Sequence, residues 1–250
     1  MANDFPPSLL ARLADARRVV VLTGAGVSAE SGVPTFRDAQ IGLWARYNPE
    51  ELATPEAFRR TPRLVWEWYA YRRRLVEAVA PNPAHHALVD LERRMAGFTL
   101  VTQNVDGLHR RAGSRNVVEL HGSLARYRCF ADGAPVERWV EADEPPPRCP
   151  RCGAHVRPDV VWFGEALPIE GWAAAVEAAA SCDVFLCVGT SGLVQPAASL
   201  PLLARRRGAY VAEINLRPSA LDGTLDAHLY GPAGALLPAL VAAACGERPH

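Results

Sequence analysis

Four groups of residues in this sequence could do chemistry. Gly24, Ala25, Gly26 and Ser28 lie in a glycine-rich turn directly after the apolar run Val19-Val-Val-Leu22. This is the G-x-G-x-x-G/A spacing after a strand: the glycines let the backbone approach a pyrophosphate, and free amides at the next helix start attract its charge. The acidic residue expected about 20 positions on is not in place, which argues against an ordinary dehydrogenase. His121 follows a strand end and precedes Gly122, so its ring can face a cleft, and an imidazole with a pKa of ~6.5 can take a proton at neutral pH. Cys129, Cys149 and Cys152 fall close together, and Cys149-Pro-Arg-Cys152-Gly153 has the form of a zinc knuckle. Tyr69 and Arg72 are three positions apart, so on a helix they share a face where phenol and guanidinium could bind a carboxylate.

The elements that must position these groups follow from periodicity and punctuation. Leu9, Leu10 and Leu13 predict a helix over 8–17. The unbroken β-branched run at 19–22 predicts a strand buried on both faces, and 98–102, 116–120, 160–163, 184–188 and 209–214 read as further strands. Helices are predicted over 55–79, with Pro55 and Pro62 as start signals, and over 84–96, 169–180, 197–206 and 232–244. Strands alternating with helices predict an α/β fold: a Rossmann-like parallel sheet with helices on both faces. Residues 122–157 lose apolar periodicity and read as irregular. With the helical stretch from 38 to 80 they predict a smaller inserted helical and zinc-ribbon-like module. The Rossmann-like domain then comprises 1–37, 81–121 and 158–250, and the small module 38–80 and 122–157.

A longer set of motifs carries a family resemblance. Gly24-Ala-Gly-Val-Ser-Ala-Glu-Ser-Gly-Val-Pro34 runs on into Thr35-Phe36-Arg37-Asp38. Then come Thr102-Gln-Asn-Val-Asp-Gly-Leu-His109, Glu119-Leu-His-Gly122, Pro158-Asp-Val-Val-Trp-Phe-Gly-Glu165, and Gly189-Thr-Ser191 with Val194 and Pro196. Glu213-Ile-Asn215 and Gly231-Pro-Ala-Gly234 complete the set. In order and over nearly the whole chain, these blocks resemble the sirtuins, the NAD-dependent protein deacylases. The resemblance implies that the larger domain binds NAD and that acyl-lysine proteins are the substrates, with nicotinamide and O-acyl-ADP-ribose released. It implies that Asn104 sits near the reacting ribose and Asp106 on the nicotinamide carboxamide, and that His121 is the base for a ribose hydroxyl. It further implies that Phe36 shields the ribose, Arg37 meets phosphate, and Gln103 is among the cofactor-binding residues. Gly189, Thr190, Ser191, Asn215 and Ala233 are implied on the adenosine side. Val161, Phe163, Gly164 and Glu165 are implied as a platform to which extended substrate adds as a strand. His85, His86 and His228 read as surface or packing residues, and His109 as structural.

Two details refine the resemblance. Tyr69-x-x-Arg72 and Ala53 match the sirtuin class that removes succinyl, malonyl and glutaryl groups, where a small residue leaves room for a longer acyl chain. Arg72-Arg-Arg74 is otherwise readable as a solvated basic patch, and deacetylation is expected to persist more weakly. Most sirtuins carry two Cys-x-x-Cys pairs for structural zinc, whereas the first pair here is Cys129-Phe-Ala-Asp132. Asp132 or His155 could supply the fourth ligand, or packing alone could hold the module. Mono-ADP-ribosyl transfer and a non-catalytic NAD-binding scaffold stay open as other functions.

Composition closes off other classes. The chain has 250 residues with 27 basic and 27 acidic side chains, and none of the basic ones is lysine. That excludes Schiff-base lysine chemistry and an ordinary P-loop NTPase. Zero net charge argues against nucleic acid or membrane surface as partner. No apolar run approaches the roughly 20 residues of a membrane span, and no export signal is read at the N-terminus. Six cysteines are too few for a disulfide scaffold, so a cytoplasmic, reducing location is expected.

Overall fold

The computed structural model describes residues 5–34 and 48–246. Its centre is a six-stranded parallel sheet built from β1 (Arg18–Thr23), β2 (Gly97–Thr102), β3 (Val117–Glu119), β6 (Val184–Val188), β7 (Tyr210–Asn215) and β8 (Ala227–Tyr230). The order across the sheet is β3-β2-β1-β6-β7-β8. Thr23 pairs in register with Thr102 on one side and Val188 on the other, so the carboxyl ends of the three central strands are level. The chain order reverses between β1 and β6, and the crevice outside such a reversal is where open α/β sheets bind ligands.

Alternation along β1 feeds two layers. Val19 and Val21 enter a core with Leu9 and Leu13 of α1 (Pro7–Asp15), Leu88 and Leu91 of α6 (Pro83–Arg94), and Leu237 and Leu240 of α10 (Ala233–Cys245). Val20 and Leu22 enter the opposite core with Ala175 and Ala179 of α8 (Ile169–Ser181) and Leu200 and Ala204 of α9 (Leu200–Arg206). A strand with helices on both faces has no polar side, which is why the β1 sequence is continuously apolar.

The second module packs α3 (Pro49–Leu52), α4 (Pro55–Arg60) and α5 (Pro62–Glu77) against an antiparallel pair, β4 (Gly122–Cys129) and β5 (Val156–Val160). Thr54 caps α4 by accepting from the Ala57 amide at 3.0 Å, and Pro55 and Pro62 occupy first helical turns. Gly122 is the point of entry into β4. Its φ is +78°, and a Cβ there would stand 2.1 Å from the Asp159 carbonyl oxygen, so only glycine lets the two strands approach.

Several expectations are corrected. The strand expected at 160–163 lies earlier, at Val156–Val160, and Phe163–Glu165 is a turn and bend. The stretch expected to be irregular begins with the eight-residue β4, whose register shifts between Ser123 and Tyr127. That bulge destroys the alternation by which a strand is read, and Pro158 disguises its partner. The two-stranded sheet also straddles the expected boundary at 157/158. The short elements β8 and α7 (Leu108–Ala112) were not expected, and the helix expected after the glycine-rich turn is the four-residue α2 (Gly26–Ala29).

Candidate functional site

A cavity of about 1570 Å³ opens at the carboxyl ends of the central strands. The turn after β1 and the turn after β6 meet there backbone to backbone. The Gly24 amide donates to the Val188 carbonyl at 3.0 Å, and the Gly26 amide to the Gly189 carbonyl at 2.9 Å. Gly189 has φ +59°, and a Cβ on it would stand 2.4 Å from the Val27 nitrogen. No side chain fits between the two loops, so main-chain groups are presented to whatever enters the crevice.

Beneath this contact lies a closed hydrogen-bond network. The Asn82 amide donates to His85 Nδ1 at 3.2 Å, so the proton of this imidazole is on Nε2, which meets the Ser28 hydroxyl at 3.4 Å. Ser28 also accepts from Asn104 Nδ2 at 3.2 Å and donates to Asp106 Oδ2 at 2.8 Å. Asn104 Nδ2 reaches the Gly24 carbonyl at 3.1 Å as well. One hydroxyl therefore fixes the amide of Asn104 and the carboxyl of Asp106 together. Burial raises the Asp106 pKa, although the Leu108 amide and Ser28 pull the other way. Burial also holds His85 at about 4, so it is neutral near pH 7.

His121 lines the cavity a short step away. Its Nδ1 lies 2.9 Å from the Gln103 carbonyl oxygen, which can only accept. The proton is thus on Nδ1, and Nε2 carries the lone pair. Burial lowers the pKa, against the hydrogen bond to Gln103. A neutral imidazole in this tautomer is equipped to take a proton. His109, by contrast, is buried against Thr23 at 2.9 Å and held at about 3 by burial; it is absent from the cavity wall.

The far side is tied to the same frame. Gln103 Nε2 donates to Thr190 Oγ1 at 3.1 Å, and Asn215 Nδ2 donates to the Thr190 carbonyl at 2.8 Å and to buried Glu213 at 3.2 Å. Gly189, Thr190, Ser191 and Asn215 all line the cavity.

Ala53, Tyr69 and Arg72 line its other end, with Val161, Phe163, Gly164 and Glu165. The Phe163 amide donates to the Ala53 carbonyl and the Val161 amide to the His121 carbonyl, both at 2.9 Å, which joins this wall to His121. The Arg72 guanidinium lies over the Trp68 ring, 4.9 Å from its centroid, and is not part of a solvated patch. Burial lowers its pKa, against electrostatic interaction with Tyr69 and Asp106. Burial pushes Tyr69 up to about 12, so its phenol keeps its proton. Glu165 accepts from Arg157, Arg128 and the Trp162 amide, which makes it a brace of the wall.

The thiol sulfurs of Cys129, Cys149 and Cys152 lie within 4.8 Å of one another, about the spacing tetrahedral zinc requires at Zn–S distances of about 2.3 Å. The Cys149 thiol is lowered by the Arg151 amide, against burial, while burial raises Cys129 to about 11. These three residues fit a structural zinc. Among the described residues the cluster contains neither Asp132, which accepts from the Ala134 amide at 3.0 Å, nor His155, which packs on Phe58.

Of the residues expected at the site, Gly24, Ala25, Gly26, Ser28, Gln103, Asn104, Asp106 and His121 converge on the one cavity. Ala233 does not: it is the first residue of α10 and is buried in the core. Phe36 and Arg37 lie outside the described residues. Two residues were missed. His85 was read as packing, but the Asn82–His85 capping box aims it at Ser28. Trp162 was passed over inside its own motif, and it lines the cavity beside Tyr69.

The sequence model of the Sir2 family matches residues 24–196. An NAD-dependent protein deacylase 2 of Pyrobaculum aerophilum is 56% identical over 229 residues, covering 92% of each chain. An NAD-dependent protein deacylase of Ralstonia nicotianae is 56% identical, covering 95% of this chain and 96% of its own. Among solved structures, a Sir2 homologue in complex with NAD superposes with a TM-score of 0.89 at 48% identity, over 96% of this chain and 94% of that one. The glycine contact, the Asn104–Ser28–Asp106 network and the cysteine cluster thus stand in a chain that belongs to the Sir2 family, the sirtuins.

Proposed function

We propose that the protein is an NAD-dependent protein-lysine deacylase that favours acyl groups ending in a carboxylate, succinyl and malonyl foremost. The observation that carries this reading is the shared cavity. One wall has the glycine crevice, the Asn104–Ser28–Asp106 network and a proton-accepting His121; the other has Ala53, Tyr69 and Arg72. The deacylase names of the relatives and the NAD of the solved homologue support the activity. Bound NAD supplies a ribose that becomes electrophilic as nicotinamide departs.

The roles follow from the geometry. The bare backbone of Gly24, Ala25 and Gly26 receives the pyrophosphate, and Gly189, Thr190, Ser191 and Asn215 hold the adenosine half. Asn104 and Asp106, locked through Ser28, orient the nicotinamide ribose and carboxamide, which favours a near-attack arrangement. With NAD bound, the acyl oxygen would displace nicotinamide at the ribose; His121 Nε2 is placed to take the proton of a ribose hydroxyl, whose oxygen would then attack the acyl carbon, and water would complete release of the lysine amine and O-acyl-ADP-ribose. Val161–Gly164 offer main chain to the substrate backbone. Ala53 leaves room for the acyl chain, and Tyr69 and Arg72 meet its carboxylate with two charge-assisted bonds. The cysteine module braces the wall without touching the reacting atoms.

The test is a matched pair of succinyl-lysine and acetyl-lysine peptides with NAD, following nicotinamide and deacylated peptide. Expected is turnover of both with succinyl-lysine ahead, and loss of that lead in Arg72→Met. Nicotinamide release with ADP-ribose left on protein and no deacylation would refute the activity. An unaltered preference in Arg72→Met would refute the acyl assignment alone.

A further inference from the structure

Tyr69 is addressed from behind by an indole. Trp162 Nε1 donates to the Tyr69 hydroxyl at 2.9 Å, and the Arg72 guanidinium stands over the same ring, 5.6 Å from its centroid. An indole N–H can only donate, whereas a phenol can donate or accept. With the indole N–H on the oxygen, the hydroxyl proton must point elsewhere, and Tyr69 lines the cavity. Left to itself, a phenol presents either a donor or an acceptor. Here only a donor is available.

Trp162 is itself held with unusual firmness. It is 1% exposed, and the Arg157 guanidinium lies 3.2 Å from its ring centroid. Arg157 is buried, and donates to Glu165 at 2.5 and 3.0 Å and to the Val160 carbonyl at 2.7 Å. Phe58 closes another side of the indole, 5.2 Å between centroids. The ring cannot swing to release the phenol without breaking this stack.

We propose that Trp162 is a specificity-determining residue acting through Tyr69: its indole N–H, pinned by Arg157, fixes the phenol as a hydrogen-bond donor toward a carboxylate-bearing acyl group. The inference rests on the acidic-acyl reading and deepens it. A chain with a plain aromatic ring at this position would keep the packing and lose the polarity. Its phenol could turn to accept and so meet a carboxylate with a lone pair.

The experiment compares wild type, Trp162→Phe, Tyr69→Phe and the double variant on succinyl-lysine and acetyl-lysine peptides. Expected in Trp162→Phe is an about tenfold fall in the ratio of succinyl to acetyl kcat/KM, carried by KM of the succinyl peptide. In the Tyr69→Phe background the same substitution should leave the ratio unchanged, because the group it acts through is gone. Equal additive losses in both backgrounds, or a fall in kcat alone, would overturn the proposal. A second readout does not depend on activity: Tyr69→Phe should shift the Trp162 indole N–H proton upfield in a spectrum of the six tryptophans. An unmoved resonance would overturn it too. If wild type shows no preference for succinyl-lysine, the acidic-acyl reading itself fails. If wild type prefers it and Trp162→Phe keeps the preference, only the present inference fails.

Discussion

His121 and Gln103 are joined by a bond that decides a protonation state. The Gln103 carbonyl takes the Nδ1 proton of His121 at 2.9 Å, so the lone pair is on Nε2, and burial lowers the imidazole pKa. The same glutamine ties its own side chain to Thr190 at 3.1 Å. His121 and Thr190 are therefore both held by one residue between β2 and the Asn104 turn.

The first prediction concerns pH. A base with a depressed pKa stays competent at lower pH, so the acid limb of kcat/KM should fall below the ordinary imidazole value of ~6.5. His121→Ala should lose about 10²- to 10⁴-fold in deacylation. A wild-type limb well above that value, or full activity in the variant, would remove His121 as the base.

The second concerns Ser28. Among the described residues, its hydroxyl is the side-chain link between Asn104 and Asp106, at 3.2 and 2.8 Å. Ser28→Ala leaves a buried Asn104 donor and a buried Asp106 oxygen short of a partner, at about 1–3 kcal/mol of stability. Thermal unfolding should register that loss, and turnover should fall further than Tm alone explains, because both orienting groups are released. Ser28→Cys, with a larger and weaker group, should not restore the rate.

Legibility in the sequence followed local constraint. The Rossmann order was readable because β1, β2 and β6 are apolar on both faces and end in glycine or polar turns. Cavity residues on those turns were readable for the same reason: each lies at the carboxyl end of a parallel strand. What was hidden depends on partners distant in sequence. β4 needs β5 across a bulge to be a strand, and its arginines pair with Asp159 and Glu165 rather than showing a face pattern. Trp162 was passed over because its donor role needs Tyr69, 93 positions away. Ala233 was assigned by motif, yet helix α10 turns it inward.

The third prediction is steric. Gly189→Ala places a Cβ 2.4 Å from the Val27 nitrogen at φ +59°, with backbone on every side and nothing flexible to yield. The turn after β6 must then part from Gly26, so dinucleotide binding should be lost along with stability of roughly 3 kcal/mol or more. Calorimetric titration with ADP-ribose and a thermal scan would check both. Binding at wild-type strength would mean that the two loops do not need to touch.

The fourth concerns metal. Three thiols within 4.8 Å should hold about one zinc per chain by elemental analysis, and Cys149→Ser should abolish it. Because Cys129, Cys149 and Val156 form one small core, metal loss should lower Tm and expose Trp139, which packs against it. Zinc-free protein with an unchanged Tm would show that packing alone carries the module.

The fifth is acid stability. His85 at about 4 and His109 at about 3 are both held neutral by burial, whereas in the unfolded chain each titrates at about 6.5. The unfolded state then binds more protons below that value, so stability falls as pH drops from about 6.5 toward 3–4. Shifts of this size correspond to roughly 3 kcal/mol for His85 and roughly 5 kcal/mol for His109 once the folded pKa values are passed. Denaturant midpoints measured from pH 7 to pH 4 should decline steeply in wild type. His109→Gln loses the bond geometry to Thr23 and starts less stable, but its midpoint should decline with a shallower slope, because one of the two proton-binding sites is gone. Equal slopes in the two proteins would show that the imidazole of His109 is already able to take up a proton in the folded chain.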